Sequence, residues 1–398
     1  MAPFHPLPFA IVAMLAAGVA APGCSSFSSS PTPSSGNPVP GRIAIEGPMT
    51  GPQSATGMDM YRGAQLAIDQ INAAGGVDGV KLRPVRADDA ALPGTGVTVA
   101  KHMVQQGVFG VVGPFNSGVG VDNLSIYRSV GTAIVRLTSA HQTQGFGVTT
   151  QPMDVQVAPV EAKELTDQLH ATRVAIIYDT SAYTASIATQ LEGLLTVAGH
   201  APITVVPVHE SQTNFNTVLA TVKEAHPDVL YIAAYGTVAG QIAKQAAQLG
   251  VGGRCFVDLA AQGPDFVAAA TGPVAQTCLN SGVPSAQQFT GATAYVSQYQ
   301  ADFHAAPGTW GTFTYDSVEL LAKAVMAAGG WKQTATRAAL SHTVDMTGIT
   351  GKITIDPGTG NRVDAPVVVL GIDPAGNYVI DPTWALATGF PLPASSGR

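Results

Sequence analysis

The 398-residue chain is 46% hydrophobic and only 11% charged, with a formal net charge of −7. That length accommodates two α/β domains, and no run of Lys or Arg supplies the field a nucleic-acid partner requires. The net charge is too small to name an anionic or cationic substrate.

In chain order, Leu7 to Ala21 is an apolar stretch rich in Ala and Val, followed by Ala21-Pro22-Gly23-Cys24. It is too short to span a bilayer, and it predicts an export signal over residues 1–23. The small residues before the cysteine resemble a lipobox, in which Cys24 is lipidated and begins the mature chain. Pro22 departs from that pattern, as does an n-region whose only side-chain base is His5. An ordinary secretory signal with an incidental cysteine is the alternative. Residues 24–40 comprise that cysteine and a Ser/Pro-rich spacer, Ser25 to Pro40, which at ~3.5 Å per residue reaches about 55 Å and holds a domain clear of a membrane. No other segment approaches the ~20 apolar residues of a spanning helix.

From Arg42, RIAIEGPMTGP reads as a buried strand entering a Gly/Pro turn. MYRGAQLAIDQINAAGG then reads as a helix, with Tyr61, Ala64, Ile68 and Ile71 at helical spacing and Gly75-Gly76 as its stop. VKLRPVRADD is the next strand, and this βαβ unit predicts a doubly wound α/β sheet. The alternation continues with a helix over 97–106, a strand over 107–114, a helix over 118–130 and a strand over 132–137. It relaxes through 142–159, where Gly, Thr, Gln and Pro dominate. A helix over 160–170, the strand TRVAIIYD, a helix over 185–198, the strands PITVVPV and PDVLYIAAY, and a helix over 238–249 follow. Two βαβ runs separated by a loose connector predict two similar lobes. Cys255 and Cys278 open the strands RCFVD and TCLNSG, which as neighbours in a parallel sheet come within disulfide reach. An exported compartment permits the bond, and two buried free thiols are the alternative.

Ligands of doubly wound sheets bind beyond the carboxyl ends of strands. That rule selects Ser117 in Phe115-Asn116-Ser117-Gly118, just ahead of a helix, and Ser139 with Ala140 in the loop after TAIVRL. It also selects Tyr183 after TRVAIIYD and Tyr235 at the end of PDVLYIAAY. A hydroxyl beside unpaired helix N–H groups suits a carboxylate. No Gly-x-Ser-x-Gly elbow, phosphate-cradling loop, metal-ligand spacing or nucleophile–base pair argues for an enzyme. The prolines of GPMTGP argue against a dinucleotide.

The order GPMTGP, INAAGG, a strand ending in Asp88-Asp89, and late in the chain GITGKITIDPGTGNR resembles the type I periplasmic binding proteins. The likeness runs from Arg42 to about Asn377 and is strongest to the leucine/isoleucine/valine-binding branch that feeds ABC importers. It implies two Rossmann-like doubly wound lobes joined by three crossover segments. The lobes comprise residues 41–153 with 285–348 and residues 154–284 with 349–390, and 391–398 is a tail. The resemblance further implies that Ser117 and Ser139 with Ala140 hold a ligand carboxylate, while Tyr183 and Tyr235 meet the ligand from the far lobe. The family's ammonium-pairing glutamate is Ala260 here, so Asp258 or Asp154 is expected to stand in. Thr56 replaces a family aromatic, Ala91 and Asn116 replace its first-lobe disulfide, and His141 is set aside as a solvated neighbour. The expected protein is a monomeric, lipid-anchored, exported receptor without metal or cofactor. Its ligand is a small carboxylate-bearing solute, an apolar amino acid or alternatively an aromatic acid or amide. It would deliver that solute to separate permease and ATPase subunits, although a receptor serving a sensor kinase shares the fold.

Overall fold

The computed structural model describes residues 36–392, so Cys24, the export signal and most of the spacer lie outside the described residues. Strand β1 (Val39–Gly47) turns Ile43 and Ile45 to one core and Ala44 to another, because successive strand side chains alternate faces. The chain continues through α1 (Ser54–Ala73), β2 (Arg83–Asp88), α2 (Pro93–Gln105), β3 (Val108–Val112), α3 (Ser117–Ser129), β4 (Ala133–Arg136) and β5 (Val148–Thr149). Its strands form a parallel sheet in the order β2-β1-β3-β4-β5.

The second run comprises α4 (Asp154–Lys163), β6 (Val174–Asp179), α5 (Ala182–Val197), β7 (Thr204–Val208), α6 (Asn216–Glu224), β8 (Val229–Ala233), α7 (Gly236–Leu249) and β9 (Arg254–Val257). It then passes through α8 (Pro264–Ala270) and α9 (Gly272–Ala275) to β10 (Cys278–Gly282). The chain next adds α10 (Thr293–Phe303), α11 (Trp310–Ala327), α12 (Gln333–Ser341) and the hairpin β11 (Met346–Gly348) with β12 (Gly351–Ile353) to the first lobe. It closes with β13 (Val368–Ile372) and β14 (Tyr378–Ile380), so the second sheet has the order β14-β13-β10-β9-β8-β6-β7. That sheet is parallel from β10 to β7 and antiparallel where β13 and β14 join. Two Rossmann-like lobes with three passages of chain between them are therefore present.

Helix α11 lies along α1 at a close crossing. A Cβ on Gly63 would collide with the Gly311 carbonyl, which is why the position is held by glycine. Near that crossing Asp59 accepts from the Gly308 and Gly311 amides at 2.8 and 2.6 Å and from the Tyr299 hydroxyl at 3.0 Å. These bonds fix the start of α11, and hence Trp310, against the first lobe.

The loose connector expected over 142–159 ends earlier than its composition suggests. Helix α4 begins at Asp154 and carries Pro159 inside it, not ahead of it. The Met153 amide donates to Gln156 Oε1 at 3.0 Å and fixes the start, while burial of Val157, Ala158 and Glu161 outweighs the cost of proline. The lobe boundary expected at 348/349 falls on the turn of the β11–β12 hairpin. The Ile349 and Thr350 amides donate there to Asp316 of α11 at 2.8 and 2.9 Å.

Cys255 and Cys278 stand opposite each other in register on β9 and β10 and are joined by a disulfide, Cα to Cα 4.5 Å. The closed loop has a sequence separation of 23. A loop of that size lowers the entropy of the unfolded chain enough to stabilise the fold by about 3 kcal/mol. Reduction, or a Cys255→Ala and Cys278→Ala pair, is expected to lower the urea midpoint accordingly. A midpoint that stays put would contradict the assignment of that stabilisation.

Candidate functional site

The β3–α3 and β4–β5 loops of the first lobe meet at Ser117. This residue opens α3, whose first-turn N–H groups have no intrahelical acceptor. The Ser117 Oγ accepts from the backbone amides of Ser139 and Ala140 at 3.2 and 3.1 Å. Its own hydroxyl proton therefore remains to be donated. The Ser139 Oγ donates to the Pro152 carbonyl at 2.7 Å and receives Gln151 Nε2 at 2.9 Å. Hydroxyls, amides and a helix N-terminus are gathered at one point, which is an arrangement suited to an anion.

A small cavity of about 20 Å³ lies over this point, lined by Ser117, Ser139, Gln151, Phe115, Trp310, Tyr183, Tyr235, Leu259 and Ala260. The first lobe supplies Phe115 and Trp310, packed edge to face with centroids 5.1 Å apart. The second lobe supplies Tyr183 from the first turn of α5, Tyr235 from the end of β8, and the Leu259-Ala260 turn. Burial raises the pKa of the Tyr235 hydroxyl, while hydrogen bonding to the Asn116 side chain and the Ser117 amide opposes that rise. Tyr235 faces Ser117, at the N-terminus of α3, across the cavity. A wider groove of about 800 Å³ adjoins along the cleft, with Thr56, Arg62, Gln262, Ser285 and Tyr378 among its lining, and Trp310 borders both spaces.

The structure thus brings Ser117, Ser139, Tyr183 and Tyr235 to one cavity, with Ala140 contributing its amide behind Ser117. Asp258 and Asp154 do not open on it. Asp258 is fully buried behind Tyr183, whose hydroxyl donates to Asp258 Oδ2 at 3.1 Å, and Asp258 Oδ1 receives the Ala260 amide at 2.8 Å. Next to it Glu161 accepts from Ser281 and Tyr231 at 2.6 and 2.9 Å. Burial raises both carboxyls, and the Asp258 charge raises Glu161 further, so Glu161 holds the pair's proton and the one remaining negative charge sits on Asp258, behind Tyr183. Asp154 is fully buried and already satisfied. Its Oδ2 accepts from the His141 amide at 2.9 Å and from Ser186 Oγ at 2.6 Å, with His141 Nδ1 at 3.0 Å.

Besides Leu259, next to Asp258, three contributors escaped the sequence rules. Phe115 neighbours a selected residue, Trp310 arrives from a distant helix, and Gln151 belongs to the connector read as featureless. His141, set aside as a bystander, joins the first lobe to Asp154 and to Ser186 of α5. Only for Phe115 did the sequence hold a signal, its place in the loop after a parallel strand. Among the described residues no metal-binding group of His, Cys, Asp and Glu occurs, and no helix is long and apolar enough to cross a membrane.

A family model described as "Periplasmic binding protein" matches residues 40–377. The leucine-, isoleucine-, valine-, threonine- and alanine-binding protein of Pseudomonas aeruginosa is 28% identical over 294 residues, covering 72% of this chain and 78% of its own. The leucine-binding protein LivK of Thermotoga maritima superposes with a TM-score of 0.80 at 22% identity, over 85% of this chain and 97% of its own. A solute-binding protein of an R. palustris ABC transporter, solved with benzoate, gives 0.76 at 17% identity over 86% and 95%. With its two lobes and the match over nearly the whole described region, the chain belongs to the periplasmic binding protein family and has the type I fold.

Proposed function

We propose that this chain is the extracytoplasmic solute receptor of an ABC importer and captures a small carboxylate with an apolar or aromatic body. One observation carries the reading: the anion seat at Ser117 faces an aromatic-walled cavity in which no protein carboxylate is exposed. The solute's carboxylate takes the Ser117 hydroxyl and the free amides of α3, and its body lies among Phe115, Trp310, Tyr183 and Tyr235. The Pseudomonas relative, named for branched-chain and other small amino acids, supports an amino acid. The benzoate-bound neighbour supports an aromatic acid. An ammonium group buried here has no carboxylate to pair with, since Ala260 stands at the glutamate position and Asp258 and Asp154 are engaged elsewhere, and such burial is costly. The geometry therefore favours an acid that carries no cation.

The present cavity has room for about one water, so the lobes must part to admit the solute and close on it, hinging at the crossovers. We divide the lobes as the resemblance does, with the third crossover moved past Arg362. The Arg362 guanidinium bonds Thr150 and Thr350 of the first lobe, with Nη1 to the Thr150 carbonyl at 3.1 Å and to the Thr350 Oγ1 at 2.9 Å. Anchoring through a lipidated Cys24, action as a monomer, and docking of the closed form on separate permease and ATPase subunits complete the proposal. Intact-mass analysis of the mature chain tests the anchor, and an unmodified Cys24 would remove it.

Ligand class is tested by thermal and chemical stability in a panel of carboxylates and their amides. A ligand at a hundred times its Kd stabilises the native state by about 2.7 kcal/mol. At least one apolar carboxylate is expected to reach that range while its amide does not. Equal effects of acid and amide would contradict an anion seat.

A further inference from the structure

Gln151 lines the cavity and is 2% exposed. Its Nε2 donates to the Leu137 carbonyl and to Ser139 Oγ. The Leu137 carbonyl fixes which way the amide points, because a flipped amide would set two oxygens against each other. The oxygen, Oε1, is left buried with no hydrogen-bond partner in the protein. A buried acceptor without a donor is costly, and one at the wall of a ligand cavity is satisfied when the ligand brings the donor.

The position of that oxygen restricts the donor. Gln151 Nε2 is 2.9 Å from Ser139 Oγ, and the Ser139 amide bonds Ser117. Gln151 thus stands on the same cavity wall as Ser139 and Ser117, so a donor that meets Oε1 from the cavity is carried near the ligand's carboxylate. A neutral amide oxygen accepts a hydroxyl without the cost of burying a cation. An ammonium at the same place would be stripped of water with no opposing charge.

We infer that Gln151 is a specificity-determining residue whose Oε1 accepts from a hydroxyl beside the ligand's carboxylate, so that the preferred solutes are apolar 2-hydroxy acids. An ortho-hydroxy aromatic acid meets the same geometry. This rests on the carboxylate reading above and narrows it.

The test is titration calorimetry on the full mature chain with matched sets: 4-methylpentanoate, its 2-hydroxy acid and leucine; phenylacetate and mandelate; benzoate and 2-hydroxybenzoate. In the wild type the hydroxy acid of at least one set is expected to bind about tenfold tighter than its deoxy partner and tighter than the amino acid. In Gln151→Met that advantage of the hydroxy acid over its deoxy partner falls to about twofold or less, whatever the absolute affinity of the deoxy acid becomes. Should Gln151→Met not fold, the wild-type comparison alone decides. Deoxy acids binding as tightly as hydroxy acids, or leucine binding tightest, would overturn the role of Gln151 while leaving the carboxylate seat standing. Binding of none of these acids would overturn both together.

Discussion

Replacing Asp154 with alanine is expected to lower the unfolding free energy by about 1 to 3 kcal/mol, the cost of leaving buried donors without their acceptor. Asp154 is the acid whose charge opposes the depression of Arg136, a fully buried guanidinium that burial brings down to about 9. Arg136 has few other partners. Its Nη2 reaches Asn361 Oδ1 at 2.6 Å, its Nη1 lies 3.4 Å from Met153 Sδ, and its Nε has none. The substitution also strips acceptors from the His141 amide and Ser186 Oγ, which join the two lobes beside the first crossover. Urea unfolding reads the loss directly. Affinity measured where the variant is still folded is expected to fall by less than about tenfold. Unchanged stability with binding abolished would instead restore Asp154 as a ligand group.

Stability is also expected to fall by several kcal/mol as pH rises from about 4.5 to 8, a slope opposite to that of proteins held by ionised carboxylates. One source is Glu46 on β1, fully buried beside Asp89. Tyr127 and Asn123 donate to it at 2.6 and 2.5 Å. Burial, and next the neighbouring Asp89, pushes Glu46 from 4.5 up to about 8, and burial takes Asp89 to about 7. The folded state therefore holds protons that the unfolded chain releases. Stability is fully present below the unfolded value and is lost as pH climbs through the folded one. At about 1.4 kcal/mol per unit, the Glu46 shift amounts to on the order of 4 kcal/mol across this window. Asp228 and Asp373, whose pKa values are lowered, are already ionised in this window and do not oppose the trend. Urea unfolding across pH 4.5 to 8 measures the slope, and Glu46→Gln should flatten it. A stability that rises over that range would show that the buried pair does not retain its protons.

The strands and crossover helices were legible because parallel strands buried on both faces read as apolar runs, and helix spacing separates them. Glycine stops such as Gly75-Gly76 and loops such as FNSG mark element ends by backbone chemistry that needs no tertiary knowledge. Pro159 was misleading for the converse reason: proline signals an end locally, yet packing of α4 on the second lobe retains it within the helix. The cavity's serines and tyrosines could be selected because their places follow from strand ends. Trp310 could not, since its position depends on the α1–α11 crossing and on Asp59 holding the start of α11. Nor could the sequence show that Asp154 and Asp258 already have internal partners. Whether an acid is free to meet a ligand is a property of its neighbours in space. For Asp258 those are Tyr183 and Glu161, which lie 75 and 97 residues earlier in the sequence.

Small-angle scattering of the full mature chain, with and without the carboxylate that the stability panel selects, tests most directly whether one solute bridges both lobes. The radius of gyration should fall at saturation in the wild type. It should stay unchanged in Ser117→Asp, which sets a negative charge in the anion seat. A wild-type profile that does not change while calorimetry records stoichiometric binding would contradict closure of the two lobes around the solute.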